Sequence, residues 1–399
     1  MGQKLKVKTV LEGSVRKAGN RLRVNAQLNN AEDGYHLWSE RYDREMDDVF
    51  AVQDEIARSV VERLKVQLLD SGNTPIISRP TDDLPAYELV LKGRHHLVRL
   101  TGPSLERSLE CFSEAVEIAP SYAQAHAGVA TVQAYRVALQ FASAELMASV
   151  KTAARKALAI DGAVAEAHAA MAIALHFERD WPGAEREYQR ALRLNPGDEF
   201  ARCSHMMLLS QVGRTDAGII EGRQGVDLNP ISVVLRHYLA DGLYIARQYE
   251  AAVDEANAGL ELEPNYYHFY WDLGWSWAGL GDYEEAVAAL RRGASRSSND
   301  PLTYAFLGWA LGLAGRREEA KEVLRDLEQR REEGSFSGFL LALVHLGLED
   351  REKAVSALQR AEEERDVLIP FINVWPALDP LRSDPRFRDL VRRMNFPQP

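Results

Sequence analysis

The sequence predicts a mainly α protein: an α-solenoid of about eight helix pairs, preceded by a small incomplete α+β unit of three antiparallel strands and a helix. Three observations lead there. Small residues recur at a constant interval, with Ala252, Ala286, Ala320 and Ala354 each 34 apart, and Gly218 and Ala184 continue the series backwards. Pro196, Pro230 and Pro264 fall in the same phase. The first seventy residues instead alternate with a period of two.

In that first segment Leu22, Val24, Ala26 and Leu28 alternate with Arg21, Arg23, Asn25 and Gln27, the pattern of a half-buried strand. "VLEGSVR" precedes it, and Lys17-Ala18-Gly19-Asn20 supplies a hairpin turn. Asp33-Gly34 marks a second turn before "YHLWSERYD". Asp47 and Asp48 stand where a helix needs acceptors, and Val49, Val52, Ile56, Val60, Leu64 and Leu68 follow at helical spacing. The expectation is a three-stranded meander with one helix of about twenty residues, whose first strand leaves an open edge. Residues 1–70 form this unit, and residues 71–83, with Pro75 and Pro80, form a linker.

From 84 to 366 the 34-residue period reads as paired antiparallel helices. Small side chains at fixed heights let two helix backbones approach where a larger one would overpack. Proline stops the second helix, having no amide to donate. A second small series follows seven positions later (Ala191, Gly225, Gly259, Gly293, Ala361), and a third lies twelve positions earlier (Ala172, Ala240, Gly274, Gly308, Ala342). The pairs run roughly 84–120, 121–162, 163–196, 197–230, 231–264, 265–298, 299–332 and 333–366. The second is some eight residues too long, with the excess expected around 138–145. Residues 367–399 leave the phase, and "RFRDLVRR" reads as a capping helix. Ile369, Phe371, Ile372, Val374 and Trp375 are too apolar for water and are expected on the last repeat or in its groove.

The pattern resembles the tetratricopeptide repeat. Its clearest copies are Tyr270-x2-Leu273-Gly274-x2-Trp277 with Ala286-x3-Leu290, and Tyr304-x2-Leu307-Gly308-x2-Leu311 with Ala320-x3-Leu324. "VLEGSVRKAGNRLRVNAQLNNAEDGYHLWSERYDREMDDVFAVQDEIA" looks like the second half of a TolB-like amino-terminal domain, and the closing "DPLRSDPRFRDLVRRM" is similar to the usual end of such proteins. The resemblance implies a truncated TolB-like domain ahead of the repeats. In such proteins an upstream module is commonly a class III adenylate cyclase, a winged-helix DNA-binding domain or a kinase.

Composition narrows the function. The 399 residues are 46% apolar and 27% charged, with a formal net charge of −11. That charge disfavours binding nucleic acid through a basic surface. Residues 1–70 hold twelve basic and twelve acidic side chains, so the acidity belongs to residues 71–399. Two cysteines cannot build a disulfide framework or a four-ligand zinc site. No signal-type or membrane-length apolar run appears, and the expected location is the cytoplasm.

No catalytic, cofactor or metal site is expected. No phosphate-cradling glycine loop is present, and Gly334-Ser-Phe-Ser-Gly338 has Phe336 where a nucleophile elbow needs serine, so it reads as a turn and helix cap. The ten histidines, His95-His96 among them, lack ligand spacing. Glu284-Glu285 and Glu318-Glu319 repeat in phase and read as helix starts favoured by the dipole.

What remains is the concave face, which the resemblance assigns to the first helix of each pair. Positions three before and one after the small residue give Ala169 and Ile173, Cys203 and Met207, His237 and Asp241, Trp271 and Trp275, Ala305 and Trp309, Phe339 and Leu343. His268 and Phe336 lie one turn earlier. The candidate groove residues are therefore His237, Asp241, His268, Trp271, Trp275, Trp309, Phe336 and Phe339. Aromatic anchors suit a protein or peptide partner with an apolar segment. The same tryptophans would equally serve as core, or be covered by residues 367–376. The expected function is a non-catalytic interaction scaffold. The alternative is the regulatory part of a larger signalling protein, a class III adenylate cyclase or a winged-helix regulator. The open edge at residues 9–16 also suggests a homodimer.

Overall fold

A computed structural model describes residues 7–45, 49–64, 81–140, 143–297, 300–332 and 337–397. Three strands open the chain, β1 (Thr9–Ala18), β2 (Arg21–Asn30) and β3 (His36–Glu45), paired antiparallel in that order. Gly19-Asn20 closes the first hairpin with Ala18 opposite Arg21, and Gly19 has φ +60°, which glycine adopts without a steric penalty. Helix α1 (Val49–Leu64) lays Val49 and Val52 over one sheet face, burying Leu22, Ala26, Leu28, Trp38 and Tyr42. Its described part is shorter than the twenty residues expected. Leu68 and most of the linker lie outside the described residues. Leu11 and Val15 of β1 pair with Leu28 and Val24 yet stay 50% and 66% exposed.

Sixteen helices then form eight successive pairs among the described residues. They are α2 (Leu84–Leu97) with α3 (Gly102–Ile118), α4 (Ala123–Gln140) with α5 (Ala144–Ile160), and α6 (Ala165–Phe177) with α7 (Trp181–Leu194). Next come α8 (Glu199–Gln211) with α9 (Thr215–Leu228), and α10 (Val233–Ile245) with α11 (Tyr249–Leu262). The last three are α12 (His268–Leu280) with α13 (Tyr283–Ala294), α14 (Pro301–Leu313) with α15 (Arg317–Glu332), and α16 (Gly338–Gly347) with α17 (Arg351–Glu363). The mainly α solenoid behind a three-stranded sheet is thus as the sequence predicts. The surplus of the second pair is carried by the two helices that meet around 138–145: α4 has 18 residues and α5 has 17, against 13 and 14 in α6 and α7.

The small-residue series does what its spacing implies. Ala184, Ala252, Ala286, Ala320 and Ala354 are all wholly buried. Side-chain oxygens cap the helix starts: Asp180, Asp198, Ser232, Asp300, Ser337 and Asp350 each accept a backbone N–H of the first turn. Ser337 confirms the cap reading of the glycine-serine segment. Its Oγ accepts from Leu340 N at 3.3 Å and donates to Asp366 Oδ2 at 2.5 Å.

Consecutive first helices pack directly on one another, whereas the second helices fan outward. The first helices therefore line the inner, concave side. Against it lies the tail: two 3-10 turns, Ile369–Asn373 and Pro376–Leu381, then α18 (Pro385–Arg393). No helix among the described residues is long and apolar enough to cross a membrane.

The tightest crossing is between α14 and α16, where a Cβ on Gly312 would sit 2.3 Å from the carbonyl carbon of Gly347. Backbone cannot rotate away as a side chain can. Gly312→Ala is expected to destabilise the protein by about 1–3 kcal/mol. Gly102→Ala, which meets nothing within 4 Å, should change stability by less than about 0.5 kcal/mol in the same urea titration.

Candidate functional site

The concave face divides into two parts. The first is aromatic and filled by the chain itself. Trp275 packs edge-on against Trp375 of the tail at 4.9 Å and against Phe306 at 4.7 Å. Tyr244, Phe339 and Phe371 complete the box around Trp375 at 5.5, 6.2 and 5.2 Å. Ile369, Phe371, Ile372, Leu378 and Leu381 are buried with it. Polar contacts fix the path: Asn373 Nδ2 donates to Gln211 O at 2.9 Å, and Arg247 grips both oxygens of Asp379 at 2.8 and 2.9 Å. Further along, Trp181 Nε1 donates to Met394 O at 3.4 Å, and Phe396 stacks on Trp181. The tail thus runs along the carboxy-terminal ends of α8, α10 and α12.

The backbone shows how the tail is held. Residues 179, 213, 247, 281, 315 and 349 are 34 apart, sit at the turn inside each pair and have positive φ. Three are glycine. Arg179, Arg247 and Glu349 take the same conformation at a steric cost. Arg179 stands 3.6 Å from Glu362 of α17, on the far side of the curve, and Arg247 holds Asp379.

The second part is a recess over the amino-terminal halves of α8, α10 and α12, and it is polar. His237 Nδ1 donates to Asp272 Oδ2 at 2.8 Å, with Asp272 wholly buried. Asp241 lies one turn beyond His237 on α10. His268 packs on the His237 ring at 5.2 Å and on Tyr266, Tyr267 and Trp271 at 4.7, 4.2 and 4.5 Å. Trp271 is pinned from behind, its Nε1 donating to Thr303 Oγ1 at 2.8 Å. The Tyr135–Phe200 stack, 4.0 Å between centroids, carries the aromatic lining on to α4.

Burial governs the charges here. It pushes the Asp241 carboxyl up to about 7, with Asp272 adding to the rise and His237 opposing it. Burial raises Asp272 as well. His237 loses basicity to burial but regains more from Asp272, so it also titrates above its ordinary value and the pair retains a shared proton. Burial, then the charge on His237, drives His268 down to about 3, so it is neutral.

Of the candidate groove residues, the structure brings His237, Asp241, His268 and Trp271 together around the recess. Trp275 and Phe339 lie under the tail, and Trp309 is buried in the same core. Phe336 lies outside the described residues. The residue that sequence reasoning missed is Asp272. Its signal was present, since it is the one acid in "HFYWDLGWSWAGL". Tyr244 was missed because the tail contact that gives it meaning, on Trp375, lies far downstream. Among the described residues no group of three or more histidine, cysteine, aspartate or glutamate side chains is arranged to hold a metal ion.

The tetratricopeptide repeat family model matches residues 267–292 and 301–326, within the α12–α13 and α14–α15 pairs. These two pairs are tetratricopeptide repeats. A curated relative, putative adenylate cyclase 3 of Rhizobium meliloti (strain 1021), is 35% identical over 187 residues, 46% of this chain. The match covers 32% of that protein, so the chain spans about a third of the relative's length. Among solved structures, a tetratricopeptide repeat protein from Parabacteroides merdae ATCC 43184 is 12% identical with TM-score 0.46, over 67% of this chain and 98% of that one. YrrB, a tetratricopeptide repeat protein with an unusual peptide-binding site, is 17% identical with TM-score 0.35, over 49% and 96%. The human IFIT1 dimer with m7Gppp-AAAA is 14% identical with TM-score 0.49, over 80% and 77%.

The acid on α10, Asp241, gives a pH signature. Asp241 binds its proton more tightly in the folded chain than in the unfolded one. Its contribution is therefore complete below about pH 4 and lost as pH rises through about 7. Asp241→Asn is expected to flatten the fall in stability between pH 6 and 8 relative to wild type. Parallel Tm curves for the two proteins over that range would contradict the assignment.

Proposed function

We propose that this chain is a non-catalytic protein-interaction scaffold that takes a partner segment on the concave face of its repeats. The observation carrying the reading is the half-occupied groove. The tail covers the carboxy-terminal ends of the first helices, while His237, Tyr238, Tyr266 and His268 stay partly accessible over their amino-terminal halves. The tail also indicates the chemistry that the aromatic part takes. It offers an apolar, aromatic stretch closed by an acid on Arg247, the kind of segment proposed for a partner. Rigid aromatic walls give large contact area with little ordering cost. No cofactor, nucleic-acid or membrane partner belongs to the proposal, and its setting is the cytoplasm.

Site-directed photo-crosslinking tests it. A benzophenone side chain in place of Val234, exposed on α10 three residues before His237, is expected to give discrete adducts in cells. The same group in place of Glu261 on the outer helix α11 should give none. Equal labelling from both positions, or none from position 234, would reject the groove.

A second reading is favoured by the relative named a putative adenylate cyclase: the chain serves as the regulatory part of a larger signalling protein, such as a class III adenylate cyclase or a winged-helix regulator. Catalysis would then reside in other sequence. The two readings are compatible, because the groove would be the sensing surface in the second.

Self-association belongs to the same proposal. Leu11 and Val15 lie on the same sheet face as α1 but beyond its cover, and β1 is an edge strand. Light scattering is expected to show a dimer at high concentration that Val15→Lys dissociates. A wild-type monomer throughout would remove this part.

A further inference from the structure

The buried polar atoms left without a partner are not spread evenly. Among the described residues they include Asp241 Oδ1, Asp272 Oδ1, Ser276 Oγ, Trp275 Nε1 and His268 Nδ1, all on α10 and α12. Buried polar groups are nearly always satisfied, so the two orphaned carboxylate oxygens mark a place where a donor belongs, whereas Trp275 Nε1 is itself a donor. Asp272 and Ser276 are wholly buried, and Trp275 is 4% exposed.

The helices set the geometry. α10 and α12 are first helices of consecutive pairs and so run parallel. His237 and Asp241 are four apart on α10, and Asp272 and Ser276 are four apart on α12, so each couple lies on one helix face. The His237–Asp272 bond fixes the first rung at 2.8 Å. One turn on, Asp241 and Ser276 stand at the next level of the two parallel helices, and no hydrogen bond joins them. Asp241 Oδ1, Asp272 Oδ1 and the Ser276 hydroxyl thus lie within two adjacent levels, each without a partner. The approach is walled by Tyr238, His268 and Trp271, and Asp241 is reached from the groove.

Resting on the concave-groove reading, we propose that this recess receives the primary ammonium of a lysine side chain from the partner segment. An ammonium carries three donors and no acceptor, which matches three acceptor oxygens. Its butyl stem would lie along the aromatic wall, where a cation gains from the ring faces. A guanidinium is planar and forked, and it fits a set of single oxygens less well. The net charge of −11 favours the approach of a cationic segment. An aspartate that is costly to bury is then explained: its partner arrives with the ligand.

The test uses the full chain and acetylated heptapeptide pools in which the central residue is lysine, arginine, norleucine or glutamate and the other positions are randomised. Binding is read by fluorescence polarisation, and docking by the crosslinker at position 234. The lysine pool is expected to bind at least tenfold more tightly than the norleucine pool. Asp241→Asn and Ser276→Ala should each bring the two within threefold, with Tm no lower than wild type for Asp241→Asn. If the pools bind alike and still crosslink on the concave face, the recess holds structural water only and this inference falls while the scaffold stands. If no pool crosslinks there, the groove reading itself falls. A lysine preference that survives Asp241→Asn also overturns the assignment.

Discussion

Close approach of helix backbones at positions 34 residues apart is the constraint on which the rest depends. Wholly buried alanine at 184, 252, 286, 320 and 354 keeps each pair narrow. A neighbouring small series serves the next interface. A Cβ on Gly259 would sit 2.0 Å from Cζ of Phe269 in the following pair, whereas one on Gly274 would meet Leu290 of its own pair at 2.4 Å. Two kinds of contact, within and between pairs, are therefore written at separate phases of one period. Because first helices touch and second helices fan out, curvature follows, and with it an inner face.

A curved inner face of this composition could not stay bare. α12 and α14 present tryptophan and phenylalanine inward, and so large an apolar surface in water would invite association. The tail meets that need. Its attachment uses the same 34-residue rhythm, at the left-handed turn position. Glycine at 213, 281 and 315 takes that conformation freely. Arginine at 179 and 247 accepts about 1–2 kcal/mol of strain each. An exposed ion pair returns only about 0–1 kcal/mol, so stability alone does not account for them. What Arg247 adds is direction: a two-pronged grip on Asp379 sets where the tail crosses the groove.

Sequence patterns made the solenoid legible because its determinant is local and periodic. Spacing located the pairs, and Ser337 was identifiable as a cap from its neighbours alone. The tail was half legible. The apolarity of Ile369, Phe371 and Trp375 required burial, but a partner such as Tyr244, which packs on Trp375, lies 131 residues upstream in a pair of ordinary pattern. Only the handedness and pitch of the stack bring them together. The surplus around residue 140 was legible in place but not in form. Adding a turn to each of two antiparallel helices keeps the pair in register, and counting residues cannot tell that from a longer loop.

The recess shows where pattern reading stops and energetics begins. His237 and Asp241 were picked out by position alone, with nothing to say that they belong to one electrostatic unit. Asp272 turns them into one. It neutralises His237 at 2.8 Å and leaves Asp241 as the unpaired charge, so Asp241 is the group whose protonation responds near neutrality. A buried pair is self-sufficient, whereas a third, unmatched carboxylate is not. Replacing Asp241 with an apolar residue of similar size would satisfy the solenoid equally well. That a carboxylate stands there, beside orphaned Ser276 and Asp272 oxygens, sets this inter-repeat contact apart from the purely steric ones that build the stack.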